Sequence, residues 1–228
     1  MFVLGDLHLS FGSDKPMDIF RGWDNHVEKI TSGWNDMVED NDTVVVNGDI
    51  SWAMSLEKTE KDFEYINNRL NGYKIFIKGN HDYWWSTKAK MDGFLLNKGF
   101  DRIRILSNNS FLIDGVSVCG TRGWINDDSV EFDVKLLNRE AGRLEMSLKE
   151  GARLGGRLVA FTHYPPVFGG EKNYYIIDVL KKFGVKDCYY GHVHGPAVKK
   201  AFTGEYDGIR FHIASCDCVE FKPVRVEP

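Results

Sequence analysis

The sequence predicts an α/β protein in which two sheets lie face to face with helices on the outside. Over the first hundred residues, apolar segments of strand length alternate with helical patterns, the order that gives parallel strands joined by right-handed crossovers. Beyond about residue 103 the predicted strands become short and closely spaced. The 228 residues are expected to form one domain over 1–228, and a chain of this length buries about 70% of its extended surface.

The first half contributes three strands and three helices in alternation. Short runs rich in β-branched or aromatic residues predict strands at 2–4, 43–47 and 74–77. Apolar residues that recur every three or four positions predict helices at 24–39, 55–72 and 86–97.

The second half mixes hairpin-like strands with two further helices. Strands are predicted at 103–106, 110–113, 116–120, 157–161, 187–190, 197–202, 208–214 and 219–222. Asp114-Gly115 is typical of a hairpin turn. A long helix at 129–150 has an apolar stripe that includes Phe132 and Leu144, and a shorter helix is predicted at 175–183.

Composition excludes several classes of protein. Hydrophobic residues make up 43% of the chain and charged residues 27%, with a formal net charge of −4, so a disordered or collagenous chain is excluded. The apolar runs are too short to span a bilayer, and the mild acidity gives no footprint for nucleic acid or anionic membranes. Residues 1–10 contain an acidic residue and a histidine, so we expect no secretory signal there.

The four cysteines indicate a reducing compartment. Cys119, Cys188 and Cys216 lie in or beside apolar stretches, as unpaired buried thiols do. Cys216 and Cys218 are separated by one residue rather than the two of a zinc knuckle or redox motif. We therefore expect four structural cysteines and a cytoplasmic protein.

Five short blocks share one arrangement, an apolar strand that runs into a turn containing Gly, Asp, Asn or His. The blocks are Gly5-Asp6-Leu7-His8, Asn47-Gly48-Asp49, Gly79-Asn80-His81-Asp82, Thr162-His163-Tyr164-Pro165 and Gly191-His192-Val193-His194. Taken alone, each block is typical of an ordinary turn. Because ligands bind at the carboxyl ends of strands in open α/β sheets, all five together favour one shared site.

The spacing within the blocks suits metal binding. Asp-x-His and His-x-His place both side chains on one side of an extended segment, where they can hold one ion or two adjacent ions. A glycine before Asp6, Asp49, Asn80 and His192 permits a sharp turn and a close approach of the backbone. Imidazole and hard oxygen donors without thiolate favour Mn, Fe, Zn or Co.

In these residues the chain resembles the calcineurin-like metallophosphoesterases, and most closely their small, uncharacterised bacterial phosphohydrolases. The family signature reads D-x-H, G-D, G-N-H-[DE], H and G-H-x-H, and it matches in order from Asp6 to His194. The resemblance implies a four-layer α/β/β/α sandwich with two divalent metal ions, Mn, Fe or Zn. It implies a hydrolase that cleaves phosphomonoesters or phosphodiesters of a small phosphorylated substrate.

The resemblance also implies a role for each matching residue. One metal is expected at Asp6, His8, Asp49 and His194, and the other at Asp49, Asn80, His163 and His192, with Asp49 bridging. In the family a hydroxide that bridges the metals attacks phosphorus in line. His81 is then expected to contact the phosphate and protonate the leaving oxygen.

Two departures from the family pattern narrow the range of activities expected within the family. In the phosphoprotein phosphatases the second block reads G-D-x-x-D-R-G, whereas here Trp52 stands at the second Asp position with no Arg after it. This argues against a eukaryotic-type phosphoprotein phosphatase and leaves the residue that orients His81 open; Asp82 is a candidate, although an adjacent side chain can point elsewhere. The family's nucleases carry DNA-binding domains, which this acidic chain is not expected to have.

Other residues are candidates for contacts with substrate. Arg122 either neutralises phosphate or forms a surface salt bridge, and Tyr164 either touches substrate or packs. Tryptophans that follow the blocks either wall a pocket or belong to the core, the second being favoured: Trp52, Trp84, Trp85 and Trp124. His26 and His212 are expected to be structural. Arg139 and Arg143 lie on the 129–150 helix, which forms either a lid or, as favoured, an ordinary covering layer.

Three functions remain open on this basis. The leading hypothesis is a metal-dependent phosphoesterase. The alternatives are a catalytically inactive scaffold on the same fold, disfavoured because each ligand and His81 are retained, and a metal-binding module without hydrolysis, which gives His81 no role.

Overall fold

The protein is described by a computed structural model over residues 1–124 and 134–227. In chain order the strands are β1 Phe2–Leu4, β2 Thr43–Val46, β3 Tyr73–Phe76, β4 Ile103–Ile105, β5 Phe111–Ile113, β6 Val116–Thr121, β7 Arg157–Thr162, β8 Val167–Phe168, β9 Glu171–Lys172, β10 Asp187–Tyr190, β11 Gly204–Tyr206, β12 Ile209–Ile213 and β13 Val224–Arg225. The α-helices are α1 His26–Asn35, α2 Glu60–Arg69, α3 Lys88–Lys98, α4 Val134–Leu154 and α5 Tyr174–Lys182.

The strands form two main sheets. The first has the order β13-β1-β2-β3-β4, in which β1 to β4 are parallel and β13 is antiparallel to β1. The second has the order β11-β12-β10-β7-β6-β5, with a parallel centre and an antiparallel hairpin at each edge. Strands β8 and β9 form a small separate ribbon. The parallel centres place the carboxyl ends of the strands within each sheet at one edge.

The alternation of side chains along the strands builds the layers. Along β2, Val45 faces the second sheet, whereas Val44 and Val46 face the helices of the first. Apolar side chains of α1, α2 and α3 pack on this outer face, among them Trp34 and Phe63. Helices α4 and α5 cover the second sheet in the same way. The predicted four-layer α/β/β/α sandwich is confirmed.

The inner core between the sheets consists of apolar side chains from both. They are Val3, Val45, Ile75, Ile77, Val118, Val159, Phe161, Tyr189 and Ala214, each at most 1% exposed. This dry interface fixes the two sheets against each other, and therefore fixes the relative positions of the turns that leave them.

Most predicted elements occur within a few residues of their expected bounds. Helix α1 begins two residues later than the predicted 24–39, because Asn25 adopts a left-handed conformation (φ 52°), and it ends at Asn35. The start of the 55–72 helix is a 3₁₀ turn, Leu56–Thr59. The first five residues of the predicted 129–150 helix, among them Phe132, lie outside the described residues.

Two strand predictions in the last third are wrong. Residues predicted as a strand at 197–202 instead begin in a 3₁₀ helix, Gly195–Lys200, whose first turn contains Pro196 and therefore suits a turn rather than a ladder. The strand predicted at 219–222 is also absent, since Val219 ends a 3₁₀ helix, Cys216–Val219, and the next two residues, Glu220 and Phe221, have positive φ (54° and 59°). In this second turn, the backbone N–H groups of Cys218 and Val219 both donate to the carbonyl of Ser215.

The structure bears on the expectations for the cysteines and for membrane-spanning segments. All four cysteines are free, and Cys119, Cys188 and Cys216 are buried. Within residues 1–124 and 134–227, none of the helices has the length and apolar character that crossing a membrane requires.

Candidate metal centre

The five sequence blocks meet at one place, where the carboxyl ends of β1, β2 and β3 approach those of β7 and β10. Backbone hydrogen bonds hold the turns together: Asp6 N donates to Gly48 O at 2.9 Å, and His8 N donates to Asp49 O at 2.9 Å. In the second sheet, Gly191 N donates to His163 O at 3.1 Å. Between the sheets, Gly5 N donates to Ala214 O at 2.7 Å, so the turns form one framework that spans both sheets.

The first group of candidate ligands is Asp6, His8 and His194. Their donor atoms lie within 4.8 Å of one another, with His194 Nε2 at 3.3 Å from Asp6 Oδ1. The backbone N–H of His192 donates to both Asp6 oxygens, at 3.1 and 3.0 Å, which fixes the orientation of this carboxylate.

The second group is Asp49, His163 and His192, again with donor atoms within 4.8 Å of one another. The side-chain oxygen of Asn80 completes it, at 2.7 Å from His163 Nε2 and 2.8 Å from His192 Nδ1. The other ring nitrogen of His163 lies 2.9 Å from the carbonyl of Asn47. This contact turns Nε2 toward the centre.

Asp49 lies between the two groups. Its Oδ2 is 3.5 Å from His163 Nε2 in the second group and 3.8 Å from His8 Nε2 in the first. A carboxylate in this position can contact an ion in either group.

The backbone of the centre adopts conformations that side chains rarely accept. Four candidate ligands have positive φ, namely Asp6 (65°), His8 (46°), Asp49 (51°) and His192 (71°). The neighbouring glycines permit the close packing: a Cβ at Gly79 would overlap the backbone nitrogen and side chain of Asp49. Backbone strain concentrated in this way is typical of functional sites.

The electrostatics of the centre favour a bound cation. Burial, reinforced by the nearby negative charge of Asp6, raises the pKa of Asp49 to about 8. Burial lowers the pKa of His163 and lowers that of His192 to about 3, which favours the neutral imidazole, the form that binds metal. A cation bound between Asp6 and Asp49 would offset their repulsion and favour the ionised form of Asp49.

The donor set tests whether divalent ions fit. The two groups offer imidazole nitrogens, carboxylate oxygens and one amide oxygen. Mn, Fe and Zn accept these donors. The residues present therefore fit two divalent cations.

His81 lies beside the first group and outside both. Its ring centroid is 5.8 Å from that of His8 and 4.4 Å from that of Trp52. Its backbone N–H donates to Asp49 Oδ1 at 2.8 Å, while its ring Nδ1 is buried with no hydrogen-bond partner in the described chain. The half-buried ring also lines an open cleft, described below, from which a substrate can reach it.

Asp82 has a different position from the one the orienting role requires. Its carboxylate accepts hydrogen bonds from the backbone N–H groups of Asp49, Ile50 and Gly79 at 2.7 to 2.9 Å, and from Trp84 Nε1 at 3.0 Å. These contacts tie the second block to the third. Asp82 thus supports the turns, and its contacts do not fit the expectation that it orients His81.

Asp217 is a supporting residue that the sequence reasoning missed. Its Oδ1 lies 2.8 Å from His194 Nδ1, and its Oδ2 accepts from the backbone N–H of Gly195 at 2.9 Å. Burial lowers the pKa of His194, but Asp6 and Asp217 raise it more, to about 10. The available signal was an acidic residue just after a strand, β12, whose end meets β1 through the Gly5–Ser215 bridge.

Of the three residues expected to contact substrate, Trp84 lies in the core, whereas Tyr164 and Arg122 lie next to the second ligand group or its backbone. Trp84 is 2% exposed and packs against Phe63 and Trp85, so a role in contacting substrate does not fit its core position. Tyr164 is buried, with its ring 4.3 Å from that of His192. Arg122 lies over Trp124 at 4.7 Å and keeps a side chain 14% exposed.

Trp52 lines an open cleft next to the first group, together with Trp23, which the sequence reasoning did not single out. This aromatic cleft has a volume of about 680 Å³ and contains His8, Met17, Phe20, Arg21, Trp23, Trp52, His81, His194, Gly195, Pro196 and Lys199. Trp52 stacks on His8 with ring centroids 5.0 Å apart. The cleft gives a ligand access to His81.

His26 and His212 lie outside both groups. His26 packs beside Trp23, and burial lowers its pKa. His212 stacks on Tyr189 and contacts Asp187 at 3.0 Å.

The chain was compared with known sequences, solved structures and family models. No curated protein matches the sequence. Among solved structures, a protein of unknown function from Aquifex aeolicus, AQ665, is 16% identical, with 98% of this chain and 93% of that chain covered and a TM-score of 0.49. The protein TT1561 of Thermus thermophilus is 14% identical, with 85% and 81% covered and a TM-score of 0.56, a likeness that shows the fold alone. The family model for calcineurin-like phosphoesterases matches residues 1–196, and this chain belongs to that family.

Proposed function

We propose that this protein is a metal-dependent phosphoesterase that hydrolyses small phosphorylated substrates at the candidate metal centre. The observation that carries the proposal is the convergence of two ligand groups, Asp6/His8/His194 and Asp49/His163/His192, on adjacent turns of a phosphoesterase fold. Either group alone would fit a structural ion. Two groups that share a carboxylate between them, beside a histidine, His81, that belongs to neither group, fit a hydrolytic site better.

The proposed ligand sets follow the geometry. Asp6, His8 and His194 would hold one divalent ion, while Asn80, His163 and His192 would hold the other, with Asp49 contacting both. When bound, two such ions supply an activated water nucleophile and neutralise charge on the phosphoryl group. Mn, Fe and Zn are the candidates that the donor atoms favour.

The chain's own residues would then orient the substrate and move a proton. His81 faces the aromatic cleft, where a leaving group would lie, and its ring would donate a proton to the departing oxygen. Trp52 and Trp23 form walls of the cleft and would contact the leaving group there.

A chromogenic assay tests the proposal. We expect the protein with Mn²⁺ to hydrolyse p-nitrophenyl phosphate, bis-p-nitrophenyl phosphate or both, and Asp49→Asn to lose this activity together with metal. His81→Ala should retain metal but lose about 10² to 10⁴-fold in turnover, the range for general acid catalysis. His212→Gln is the matched control, since His212 lies outside both groups.

The outcomes separate the competing functions. Bound metal with no turnover on either ester, equal to that of Asp49→Asn, would instead support an inactive scaffold. Loss of metal in His81→Ala would show that His81 is a ligand rather than the proton donor.

A further inference from the structure

A second pocket shares no lining residue with the aromatic cleft. It has a volume of about 430 Å³, and four of its lining residues carry a positive charge, whereas one carries a negative charge. The cations are Lys78, Lys88, Arg122 and Arg143, and the acid is Glu140. We refer to it as the basic pocket. None of its residues is a candidate metal ligand.

Two carboxylates offset part of this positive charge: Asp92, outside the pocket lining, pairs with Lys88 at 2.5 Å, and Glu140 lies within the lining. Glu140 is fully buried and already contacts three guanidinium groups, those of Arg143 at 2.8 Å, Arg122 at 3.7 Å and Arg139 at 3.8 Å. Its other oxygen accepts from Thr121 Oγ1 at 2.7 Å. One negative charge is therefore shared among three positive ones.

Lys78 adds a cation that has no local counter-ion. It is half-buried, and no carboxylate of the described residues lies within ion-pair distance of its ammonium group. Its ammonium group is therefore available to an anion in the pocket.

The remaining walls supply hydrogen-bond donors. The pocket is lined by Ser86 and Thr87 and by Lys88, where α3 begins, so the positive end of this eleven-residue helix faces the same space. Arg122 Nε is buried without a hydrogen-bond partner in the described part of the chain. Guanidinium forks, hydroxyls and a helix N-terminus together match the oxygens of a phosphate group.

The pocket is joined to the candidate metal centre by short backbone links. The carbonyl of Arg122 accepts from His163 N at 3.1 Å and from Tyr164 N at 2.9 Å. Tyr164 in turn contacts the ring of His192, and Lys78 precedes Gly79-Asn80. The basic pocket thus borders the second ligand group, while the aromatic cleft borders the first.

We propose that the basic pocket binds a second phosphate group, carried by a substrate whose reacting phosphoryl group lies at the metal centre. The substrate class is then a compound with two phosphate groups rather than a simple monophosphate. The placement of the reacting phosphoryl group at the metal centre rests on the proposed function. The affinity of the basic pocket for phosphate is independent of the proposed function, since it depends only on Lys78, Arg122, Arg143 and their neighbours.

The first test measures binding without metals. Inorganic pyrophosphate is titrated calorimetrically into the metal-free full-length protein at pH 8, at low and moderate salt. We expect binding that weakens with salt, and about tenfold weaker binding in Lys78→Gln and in Arg143→Gln, the loss typical of one charge-assisted hydrogen bond. Arg153→Gln removes the same charge from an exposed position on α4 and should bind as the wild type does.

The second test asks whether the phosphate belongs to the substrate. With Mn²⁺ present, 1,3-propanediol bisphosphate and propyl phosphate are compared as competitive inhibitors of chromogenic ester hydrolysis. The bisphosphate should bind about tenfold more tightly or better, and Arg143→Gln should abolish this advantage while Arg153→Gln retains it.

The outcomes are distinguishable. Absence of pyrophosphate binding to the metal-free protein, or binding unchanged in both pocket variants, overturns the proposal. Binding without a bisphosphate advantage overturns the substrate assignment and makes the pocket a site for a free anion. A protein that binds pyrophosphate in the pocket but hydrolyses no ester refutes the proposed function and leaves the anion site standing.

Discussion

Several side chains hold the candidate ligands in place without being ligands themselves. The carboxylate of Asp82 accepts hydrogen bonds from backbone N–H groups of the second and third blocks. Asp217 contacts the ring nitrogen of His194 that faces away from the centre. Such outer contacts fix the tautomer and ring orientation of a histidine ligand. The positions and orientations of the candidate ligands therefore depend on residues that are not themselves candidate ligands.

Removing the Asp217 carboxylate should weaken metal binding. We expect Asp217→Ala to bind Mn²⁺ about 10 to 100-fold more weakly, the usual effect of losing an outer contact to a ligand. Asp217→Asn should restore part of the affinity, because its amide oxygen can still accept a hydrogen bond. Calorimetric Mn²⁺ titration measures this, with Asp207→Ala, at an exposed turn, as the control. Equal affinities in all four proteins would contradict the assigned role.

Lys74 offers a pH-dependent test away from the centre. Its side chain is fully buried, and its Nζ donates to the carbonyls of Leu70 and Gly72 at 2.8 Å each. Burial lowers its pKa from 10.5 to about 7. A neutral amine has two N–H groups, which match the two acceptors.

The sign of the effect follows from the lowered pKa. Between pH 7 and 10 the unfolded chain holds a proton that the folded chain has released, so the contribution of Lys74 to stability rises with pH, by up to about 1.4 kcal/mol per unit. We expect the difference in unfolding free energy between wild type and Lys74→Met to rise in favour of wild type over this range. Urea unfolding at several pH values measures it. A constant difference would mean that Lys74 remains charged when folded.

At the scale of elements, α4 shows how the second sheet is covered. This helix packs on β6, and Gly151 allows the close approach, since a Cβ there would overlap Cys119 Sγ. Ser117 Oγ also donates to the carbonyl of Gly151 at 3.0 Å. Gly142, on the same helix, has open space at the position of a Cβ.

The two glycines should therefore respond in opposite ways to the same substitution. Gly142→Ala is expected to stabilise the protein by about 0.5 to 1 kcal/mol, because alanine loses less backbone entropy in a helix. Gly151→Ala is expected to destabilise it by about 1 to 3 kcal/mol, the range for overpacking. Urea midpoints measure both. If Gly151→Ala were as stable as Gly142→Ala, the helix would not pack on β6 as closely as described.

At the scale of the whole molecule, the candidate ligands come from both sheets. Asp6, His8 and Asp49 follow strands of the first sheet, whereas His163 and His192 follow strands of the second. Ions held by such a set would bind the folded state and not the unfolded chain. Metal binding is therefore expected to contribute directly to global stability.

Metal removal should lower the melting temperature. Mn²⁺ at about 100 times its dissociation constant should stabilise the fold by about 2.7 kcal/mol, and chelation with EDTA should reverse this. Asp6→Asn should lose most of the shift, whereas His212→Gln should keep it. Melting curves with and without metal measure the effect. An identical shift in Asp6→Asn would show that Mn²⁺ acts elsewhere on the protein.

The last third of the chain marks where sequence patterns fail. Alternation and β-branched runs correctly place the parallel strands, because a strand buried on both faces has a strong local signature. The segments after His194 and Ser215 carry apolar residues but form 3₁₀ turns. There, contacts of Asp217 with Gly195 and His194 join segments more than twenty residues apart. No local pattern encodes such a contact.

The sequence by itself predicts the sandwich, the turns at the strand ends and a set of candidate ligands, because the strand patterns and each of the five blocks consist of residues close together in the chain. Only the tertiary structure decides that Asp82 braces the turns, that Asp217 contacts His194, that Trp84 is buried, and that Lys78 and Arg143 meet in one basic pocket. These roles depend on which elements pack together. The close packing of the two sheets and their helices sets those distances.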